Sequence, residues 1–202
     1  MSNPRGIIYI VDDDEQARRG VRALLETLDA EVADFESAES FLESYDGRRP
    51  ACLVTDVRML GMSGIELQEH LKQMGITISV VVITAHATTP LTVKAIRNGA
   101  FTLLEKPCDE DALWNAARRG LQVDAEVYQD ELRKQALRDR LASLTEKERC
   151  VLDGVVAGEA NKVIARKMDV SIRTVENHRS RVFDKMQADS VAELVRLTLD
   201  LQ

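Results

Sequence analysis

The sequence is poor in cysteine and has no long apolar run. Its 202 residues include three cysteines, Cys52, Cys108 and Cys150, which are far apart and lack CxxC spacing. This pattern predicts free thiols in a reducing cytoplasm and excludes a disulfide framework or a zinc site. No apolar stretch approaches the roughly 20 residues of a membrane span, and the N-terminal stretch is typical of neither a signal nor a transit peptide. We therefore expect a cytoplasmic protein without membrane association.

The sequence also lacks internal repeats and low-complexity segments, and its charge is unevenly distributed. Residues 1–124 hold 13 basic and 20 acidic side chains, whereas residues 141–202 hold 10 of each. Within the latter, residues 161–186 hold 7 basic and 3 acidic side chains. Such asymmetry predicts two domains with different partners, at 1–124 and 141–202.

Residues 125–140 contain neither glycine nor proline and keep a helical pattern, so we interpret them as a helical linker. Leu121, Ala125, Tyr128 and Leu132 are spaced by 4, 3 and 4 residues. This seam spans less than two heptads, and a coiled coil normally needs about three. A solvated helix and a coiled coil both remain open.

Strand and helix patterns alternate five times in the first domain. The predicted strands are Ile7–Val11, Val32–Phe35, Cys52–Thr55, Ser79–Thr84 and Phe101–Leu104. The predicted helices are Gln16–Leu28, Ala38–Tyr45, Gly64–Met74, Leu91–Asn98 and Glu110–Val123. We expect Thr89 to cap the fourth helix, and Arg18, Arg19 and Arg22 to lie on a solvated face of the first. Nearly continuous apolar strands such as SVVVIT indicate a sheet covered on both faces. The sequence therefore predicts an α/β fold with a doubly wound, five-stranded parallel sheet of order 2-1-3-4-5.

Polar side chains follow the strands that flank the switch point of this sheet. Asp12 and Asp13 end the first strand, and Asp56 ends the third. Thr84 ends the fourth, and Lys106 follows the fifth. Because ligands bind outside the carboxyl ends of the strands at the switch point, these groups should share one crevice.

The crowded carboxylates of this crevice need a positive partner. Mg²⁺ prefers oxygen ligands, so Asp13 and Asp56 could bind it directly and Asp12 through water. Asp56 could also accept a phosphoryl group as a nucleophile, with Lys106 and Thr84 assisting. An inert crevice is the alternative. A second alternative is that the protein is a phosphohydrolase, but such an enzyme would need a second acid to protonate the leaving group.

The second domain carries only helix signals. Capping boxes begin at Thr145 and Ser190, and the segment DVS forms a turn before Ser171. Four helices whose middle two are joined by a tight turn are typical of a helix-turn-helix module. The last helix, 190–200, has an apolar stripe that could serve core packing.

The helix 172–186 has an apolar face expected to be buried, and its other face is polar and suited to the major groove. The apolar face carries Ile172, Val175, Val182, Phe183 and Met186. By side-chain chemistry, Arg173 could pair with guanine, Glu176 with cytosine and Asn177 with adenine. The DNA-facing set is completed by Thr174, Ser180, and the phosphate-contacting candidates Lys162, Arg166, Arg179, Arg181 and Lys185. A solvated surface helix, or a module that binds protein or RNA, are the competing interpretations.

Several segments resemble those of a known family. IVDDDE, LVTDVRMLGMSGIELQ, VVITAHA and LLEKP are similar to the signature segments of two-component receiver domains. The segment LTEKERCVLDGVVAGEANKVIARKMDVSIRTVENHRSRVFDKM resembles the LuxR-type helix-turn-helix. Together they resemble FixJ-type response regulators over nearly the whole chain.

The resemblance implies specific roles for the crevice. Asp56 would be the phosphoacceptor, Asp12 and Asp13 the acidic pair that binds Mg²⁺, and the Arg58 carbonyl a further metal ligand. Thr84 would be the switch hydroxyl and Lys106 the phosphate-pairing lysine. The implied partners are a sensor histidine kinase, double-stranded DNA, RNA polymerase and, on phosphorylation, a second copy of the chain. The resemblance also implies a dimer contact at the apolar stripe of helix 190–200, as the alternative to core packing. The implied protein regulates transcription and is not an enzyme.

Three positions depart from the family pattern. Leu60 stands where a proline is usual, which leaves that loop less restricted. Leu103 replaces an aromatic residue three positions before the lysine, and Cys108 replaces the phenylalanine common after KP.

Overall fold

The computed structural model of the protein describes residues 6–199. Within this range the chain divides into two compact units, of which the N-terminal unit ends at Tyr128 and the C-terminal unit begins at Gln129. None of the helices between residues 6 and 199 has the length and apolar character that crossing a membrane requires.

The N-terminal unit is built on a five-stranded parallel sheet. Its strands are β1 (Gly6–Val11), β2 (Ala30–Phe35), β3 (Ala51–Asp56), β4 (Ser79–Thr84) and β5 (Ala100–Glu105). The strand order is β2-β1-β3-β4-β5, which confirms the predicted order. β3 is buried along its whole length because it pairs with β1 on one side and β4 on the other.

Five helices cover this sheet. They are α1 (Glu15–Leu25), α2 (Ala38–Ser44), α3 (Gly64–Gln73), α4 (Thr89–Arg97) and α5 (Glu110–Ala142). Alternate side chains of β1 enter different cores: Tyr9 packs with Phe41 of α2, whereas Ile10 packs with Leu25 of α1. The sheet is therefore buried on both faces, which explains its apolar strands.

Several helix boundaries differ from the sequence prediction; α1, for example, ends at Leu25 and not at Leu28. The side chain of Thr88, not Thr89, caps α4 by accepting a hydrogen bond from the Leu91 N–H. Helix α5 does not end at Val123 but continues to Ala142, because no glycine or proline interrupts it after Gly120. Residues 125–140 are thus helical, while their role as a linker and the exact domain boundaries stay predictions.

The C-terminal unit contains four short helices after α5. They are α6 (Glu146–Val156), α7 (Asn161–Met168), α8 (Ile172–Met186) and α9 (Val191–Leu199). Thr145 and Glu148 form the predicted capping box of α6. The core contains Leu137 of α5 together with residues of all four helices, among them Val151, Ile164, Val175 and Leu194.

The apolar faces of α8 and α9 are only partly buried. Ile172 was expected on the buried face of α8 but is 49% exposed, because it is the first helical residue and lies one turn before the first core residue, Val175. The stripe of α9 contributes Leu194 to the core, whereas Val191 and Leu199 are exposed. Residue 200, the end of the predicted last helix, lies outside the described residues.

Candidate functional site

The carboxyl ends of the adjacent strands β1 and β3 bring two carboxylates together. Asp56 is the last residue of β3, and Asp12 directly follows β1. Asp12 is 4% exposed and Asp56 is 7% exposed. Two buried carboxylates disfavour each other's charge, so the site needs a cation or hydrogen-bond donors.

Lys106 supplies a positive charge to both carboxylates. Its Nζ lies 2.8 Å from Asp12 Oδ2 and 2.7 Å from Asp56 Oδ1. Burial favours the neutral amine, but the hydrogen bonds and charges of the two carboxylates outweigh it and hold the pKa of Lys106 above its usual value. The backbone N–H of Lys106 donates to the Thr84 carbonyl at 2.7 Å, which fixes the lysine beside β4.

The three consecutive acids after β1 have three different sets of partners. Asp12 pairs with Lys106, and its Oδ1 accepts the Asp14 N–H at 2.9 Å. Asp13 is exposed and accepts the Leu60 N–H at 2.8 Å. Asp14 caps α1 by accepting the N–H groups of Gln16 and Ala17, and these bonds lower its pKa. Hydrogen bonds from the backbone and from Lys106 therefore offset the crowding of negative charge.

The loop after β3 is held close to the Asp56 carboxylate. The Arg58 N–H donates to Asp56 Oδ2, so both oxygens of Asp56 have a donor. Further along the loop, Glu39 of α2 accepts the Met62 N–H at 2.9 Å. The loop then enters α3 at Gly64, where a Cβ atom would lie only 2.1 Å from the Asp56 carbonyl oxygen. Only glycine allows α3 to begin so near the end of β3.

Thr84 lies at the site but bonds to the loop beyond β4. Its side chain is buried at 1% exposure. Its hydroxyl accepts the His86 N–H at 3.3 Å and is 3.4 Å from the His86 carbonyl. Glu105, at the end of β5, accepts the Ala87 N–H at 3.0 Å and holds the same loop. The Thr84 hydroxyl is therefore near the crevice without a described bond to Asp56.

Arg18 was expected on a solvated face of α1, and this expectation was wrong. Its side chain is only 13% exposed. Its guanidinium donates to the Asp12 carbonyl at 2.7 Å and to Asp34 at 3.3 Å. Arg22, one turn later, also pairs with Asp34. Two features of the sequence could have indicated this contact. Arg18 and Arg22 have i, i+4 spacing and so share one face of α1, and the acid Asp34 lies near the end of the neighbouring strand β2.

The oxygen donors of this crevice fit a hard divalent cation by chemistry. Carboxylates and a backbone carbonyl are the ligands that Mg²⁺ takes. In the observed side-chain arrangement, however, residues 6–199 contain no group of three or more histidine, cysteine, aspartate or glutamate side chains that could hold a metal ion. Lys106 lies between Asp12 and Asp56, and Asp13 is held by Leu60. A bound cation would therefore require these side chains to reorient.

Helix α8 presents most of the predicted DNA-facing residues to solvent. Arg173, Glu176, Asn177, Ser180 and Arg181 are exposed on α8, and Lys162 and Arg166 are exposed on α7. Thr174 is half-buried, and its Oγ1 lies 2.8 Å from the hydroxyl of Ser171. Asp169 ends α7 in the left-handed region (φ 54°), and Ser171 caps α8. This short connection gives the two helices of a helix-turn-helix.

Two basic residues of the predicted DNA-facing set form hydrogen bonds to other residues of the C-terminal unit. The Nζ of Lys185 lies 2.7 Å from Glu148 Oε2 and donates to the Ser143 carbonyl at 2.9 Å. The bond from Lys185 and the Thr145 N–H lower the pKa of Glu148 to about 2. Arg179 donates to Asn161 Oδ1 at 2.9 Å. These bonds give both side chains a structural role, and a role in phosphate contact stays a prediction.

Comparison with known families identifies both units. The family of response regulator receiver domains matches residues 8–118. The luxR family of bacterial regulatory proteins matches residues 142–198. The chain belongs to the response regulators. Its output unit is of the LuxR type, so the chain is a FixJ-like response regulator of transcription.

The similarity of this chain to its relatives and to solved structures extends over nearly its whole length. The transcriptional regulatory protein FixJ of Bradyrhizobium diazoefficiens is 38% identical over 195 residues, covering 96% of this chain and 95% of that protein. FixJ of Rhizobium meliloti is 41% identical over 194 residues, covering 95% and 94%. The structure of the response regulator StyR superposes with a TM-score of 0.91 at 40% identity, covering 96% and 98%. Full-length FixJ from B. japonicum gives a TM-score of 0.60 at 38% identity, covering 98% of both chains.

Membership of this family has three consequences. A receiver domain implies a histidine kinase as partner, and a LuxR-type domain implies DNA binding. Receiver domains generally bind Mg²⁺ at the acidic pocket. The relatives are transcriptional regulators, which is a non-enzymatic role.

Proposed function

We propose that Asp56 is the phosphoacceptor of this response regulator. The observation that carries the proposal is the contact of one ammonium group, Lys106 Nζ, with both Asp12 and Asp56 at the switch point of the sheet. A nucleophilic carboxylate here has a fixed cation beside it, and phosphoryl transfer depends mainly on such positioning and charge. The protein would act in the cytoplasm as a regulator and not as an enzyme.

The transfer requires an exchange of partners at Asp56. One carboxylate oxygen attacks the phosphorus of a phosphohistidine in the kinase, the P–N bond breaks, and the imidazole leaves with the electron pair. The attacking oxygen gives up its donor, and Lys106 then pairs with a phosphoryl oxygen. Thr84 would turn from His86 towards the new phosphoryl group and so carry the signal to the loop after β4.

The acids Asp12, Asp13 and Asp56 and the Arg58 carbonyl would hold Mg²⁺. The chemistry of the donor set supports this assignment. When bound, Mg²⁺ supplies positive charge that neutralises the phosphoryl oxygens. Lys106 would keep one oxygen of Asp12 or Asp56, so the lysine and the cation would share the charge of the crevice.

Replacing Asp13 with asparagine is expected to weaken Mg²⁺ binding by about tenfold or more, since it removes a charged ligand. An asparagine keeps an oxygen for the Leu60 N–H, so the loop contact survives. Stability without metal should rise slightly because one like charge is removed. Calorimetric titration of the full-length protein with Mg²⁺ measures the affinity.

The matched control for this prediction is Asp14→Asn. It removes the same charge one residue away and leaves a good N-cap residue for α1. A small, equal loss of affinity in both variants would show that only the net charge matters and that Asp13 is not a ligand.

Phosphorylation would control dimerisation and sequence-specific DNA binding. The exposed face of α8 has the side chains for base contacts, and exposed Lys162 and Arg166 of α7 can contact phosphates. We propose pairing of receivers through α4 and β5, where Val93 and Ile96 are exposed, and recruitment of RNA polymerase at the target promoter. The exposed Val191 and Leu199 of α9 are available for contact between two output units.

Arg173→Ala and Asn177→Ala are each expected to cost about 1–3 kcal/mol of binding to the cognate duplex, because each removes a base contact. Non-specific binding should be largely retained. Arg166→Ala is the control for a phosphate contact: it should weaken all duplexes alike and reduce the salt slope by about one unit.

The measurement is a salt series with phosphorylated full-length protein on two duplexes. The cognate duplex is selected from random sequence by the wild-type protein, and its scrambled version is the comparison. If Arg173→Ala and Asn177→Ala weaken both duplexes equally, α8 does not read bases as proposed. If the wild-type protein binds neither duplex at low salt, DNA binding as a function of this chain is refuted.

A further inference from the structure

Three carboxylates hold the loop after β3 by alternate backbone N–H groups. Each carboxylate belongs to a different part of the N-terminal unit: the end of β3, the turn after β1, and α2. The bonds join the N–H groups of Arg58, Leu60 and Met62 to Asp56, Asp13 and Glu39 respectively. The same loop carries the Arg58 carbonyl, a proposed ligand of Mg²⁺. These bonds therefore help to fix the position of that carbonyl before an ion binds.

Two of the three carboxylates also have a role in the proposed reaction. Asp13 is a proposed ligand of Mg²⁺, but its Oδ2 accepts the Leu60 N–H at 2.8 Å, so its side chain has to reorient to reach an ion. Asp56 is the proposed phosphoacceptor, and its attacking oxygen gives up a hydrogen-bond donor. Glu39 has neither role. Its bond to the Met62 N–H, at 2.9 Å, is therefore the one of the three that ion binding and phosphoryl transfer leave in place.

Features of both α2 and the loop favour the contact of Glu39 with Met62. Ser37 caps α2, so Glu39 lies in the first turn, where the helix dipole stabilises a negative charge. Hydrogen bonds from its own backbone N–H and from the Met62 N–H lower the pKa of Glu39, so the carboxylate is charged at neutral pH. On the loop side, a Cβ atom added to Gly61 would lie only 2.9 Å from Glu39 Oε1. Glycine at this position therefore leaves room for the carboxylate.

We propose that Glu39 is a positioning residue of the Mg²⁺ site, which holds the loop and its Arg58 carbonyl in place while Asp13 moves from the loop to the ion. This inference rests on the proposed function, because it takes the Arg58 carbonyl and Asp13 as ligands. Glu39 itself does not touch the ion. Met59 and Met62 pack against the core of the N-terminal unit, so loss of the Glu39 bond loosens the loop without unfolding it. Ion binding then also has to order the loop, which lowers the affinity.

Calorimetric titration of the full-length protein with Mg²⁺ tests the proposal in three variants. Glu39→Ala removes the bond and is expected to raise the dissociation constant about fivefold. Glu39→Gln removes the charge but keeps an oxygen that can accept the Met62 N–H, so its dissociation constant should stay within about twofold of the wild-type value. Glu43→Ala is the matched control, since it removes the same charge from an exposed position one turn later on α2. It should bind Mg²⁺ like the wild type.

Amide hydrogen exchange followed by NMR gives a second readout, which in the wild-type protein needs no substitution. Without an ion, the N–H groups of Leu60 and Met62 should both be protected. With saturating Mg²⁺, the Leu60 N–H should exchange faster and the Met62 N–H should stay protected, because only Asp13 leaves the loop. In Glu39→Ala the Met62 N–H should exchange about fivefold faster than in the wild type, with and without the ion.

Three results would overturn the role of Glu39 alone. The first is wild-type affinity in Glu39→Ala while Asp13→Asn binds Mg²⁺ more weakly, which would leave the cation site intact. The second is an equal loss of affinity in Glu39→Ala, Glu39→Gln and Glu43→Ala, which would show that only the charge of α2 matters. The third is fast exchange of the Met62 N–H in the ion-bound wild-type protein. Absence of Mg²⁺ binding by the wild-type protein would instead refute the proposed cation site, and this inference with it.

Discussion

Asp56→Asn is expected to abolish phosphate uptake by this response regulator. An amide is not a carboxylate nucleophile, so no acyl phosphate can form at this position. The substitution keeps the size of the side chain and an oxygen that can accept from Lys106 or from the Arg58 N–H. Loss of uptake would therefore reflect lost chemistry and not a lost fold. Lys106 would retain its bond to Asp12, at 2.8 Å in the wild-type protein.

The measurement is intact mass after incubation with acetyl phosphate and Mg²⁺. The wild-type protein should gain one phosphoryl group, and Asp56→Asn should gain none. Asp14→Asn is the matched control, since the same atoms change at a carboxylate that caps α1, and it should take up phosphate like the wild type. Equal uptake by Asp56→Asn and wild type would mean that another residue is the acceptor.

Gly64→Ala is expected to destabilise the N-terminal unit by about 3 kcal/mol or more, at the upper end of overpacking effects. The new Cβ would lie 2.1 Å from the Asp56 carbonyl oxygen and 2.9 Å from Thr55 Oγ1. The first of these atoms belongs to the backbone of a buried strand and cannot move aside as a flexible side chain would. Helix α3 would have to retreat from β3.

Urea denaturation measures this loss. Trp114, the single tryptophan, lies in the part of α5 that belongs to the N-terminal unit, so its fluorescence reports the unfolding of that unit. Gly20→Ala is the matched control: Gly20 is exposed within α1, and an added Cβ meets no atom within 4 Å. That variant should gain up to about 1 kcal/mol. Equal stability of Gly64→Ala and wild type would show that α3 can shift at no cost.

The sequence was sufficient to predict the sheet and the place of the crevice. The alternation of strand and helix patterns located all five strands, and the parallel βα order then allowed few topologies. Because strand ends meet at the switch point, Asp12, Asp56 and Lys106 could be brought together without coordinates. This topology allows the contacts that Lys106 Nζ makes with both carboxylates, although the conformation of the lysine side chain decides them.

The partners of individual side chains could not be predicted in the same way. Arg18 was assigned to solvent, because periodicity shows which face of a helix is polar but not what that face meets. The bonds of Thr84 to His86 and of Lys185 to Glu148 depend on rotamers and loop paths, which local sequence does not determine. The sequence predicted helix on both sides of Val123, but not that both segments belong to the single helix α5, because no local signal shows whether a helix continues unbroken into a linker.

The hydrogen bond from the Leu60 N–H to Asp13 has a thermodynamic consequence for the proposed cation site. A proline at position 60 could not donate this bond, so the competition exists because leucine stands there. The Asp13 side chain would have to leave the Leu60 N–H before it could join Asp12 and Asp56 around an ion. Only the fraction of molecules in which it has done so could bind the ion. The apparent dissociation constant rises as the reciprocal of that fraction. By linkage, an ion bound by Asp13 would weaken the hydrogen bond between Asp13 and the Leu60 N–H by the same factor, so residue 60 would tune the affinity for the ion without being a ligand.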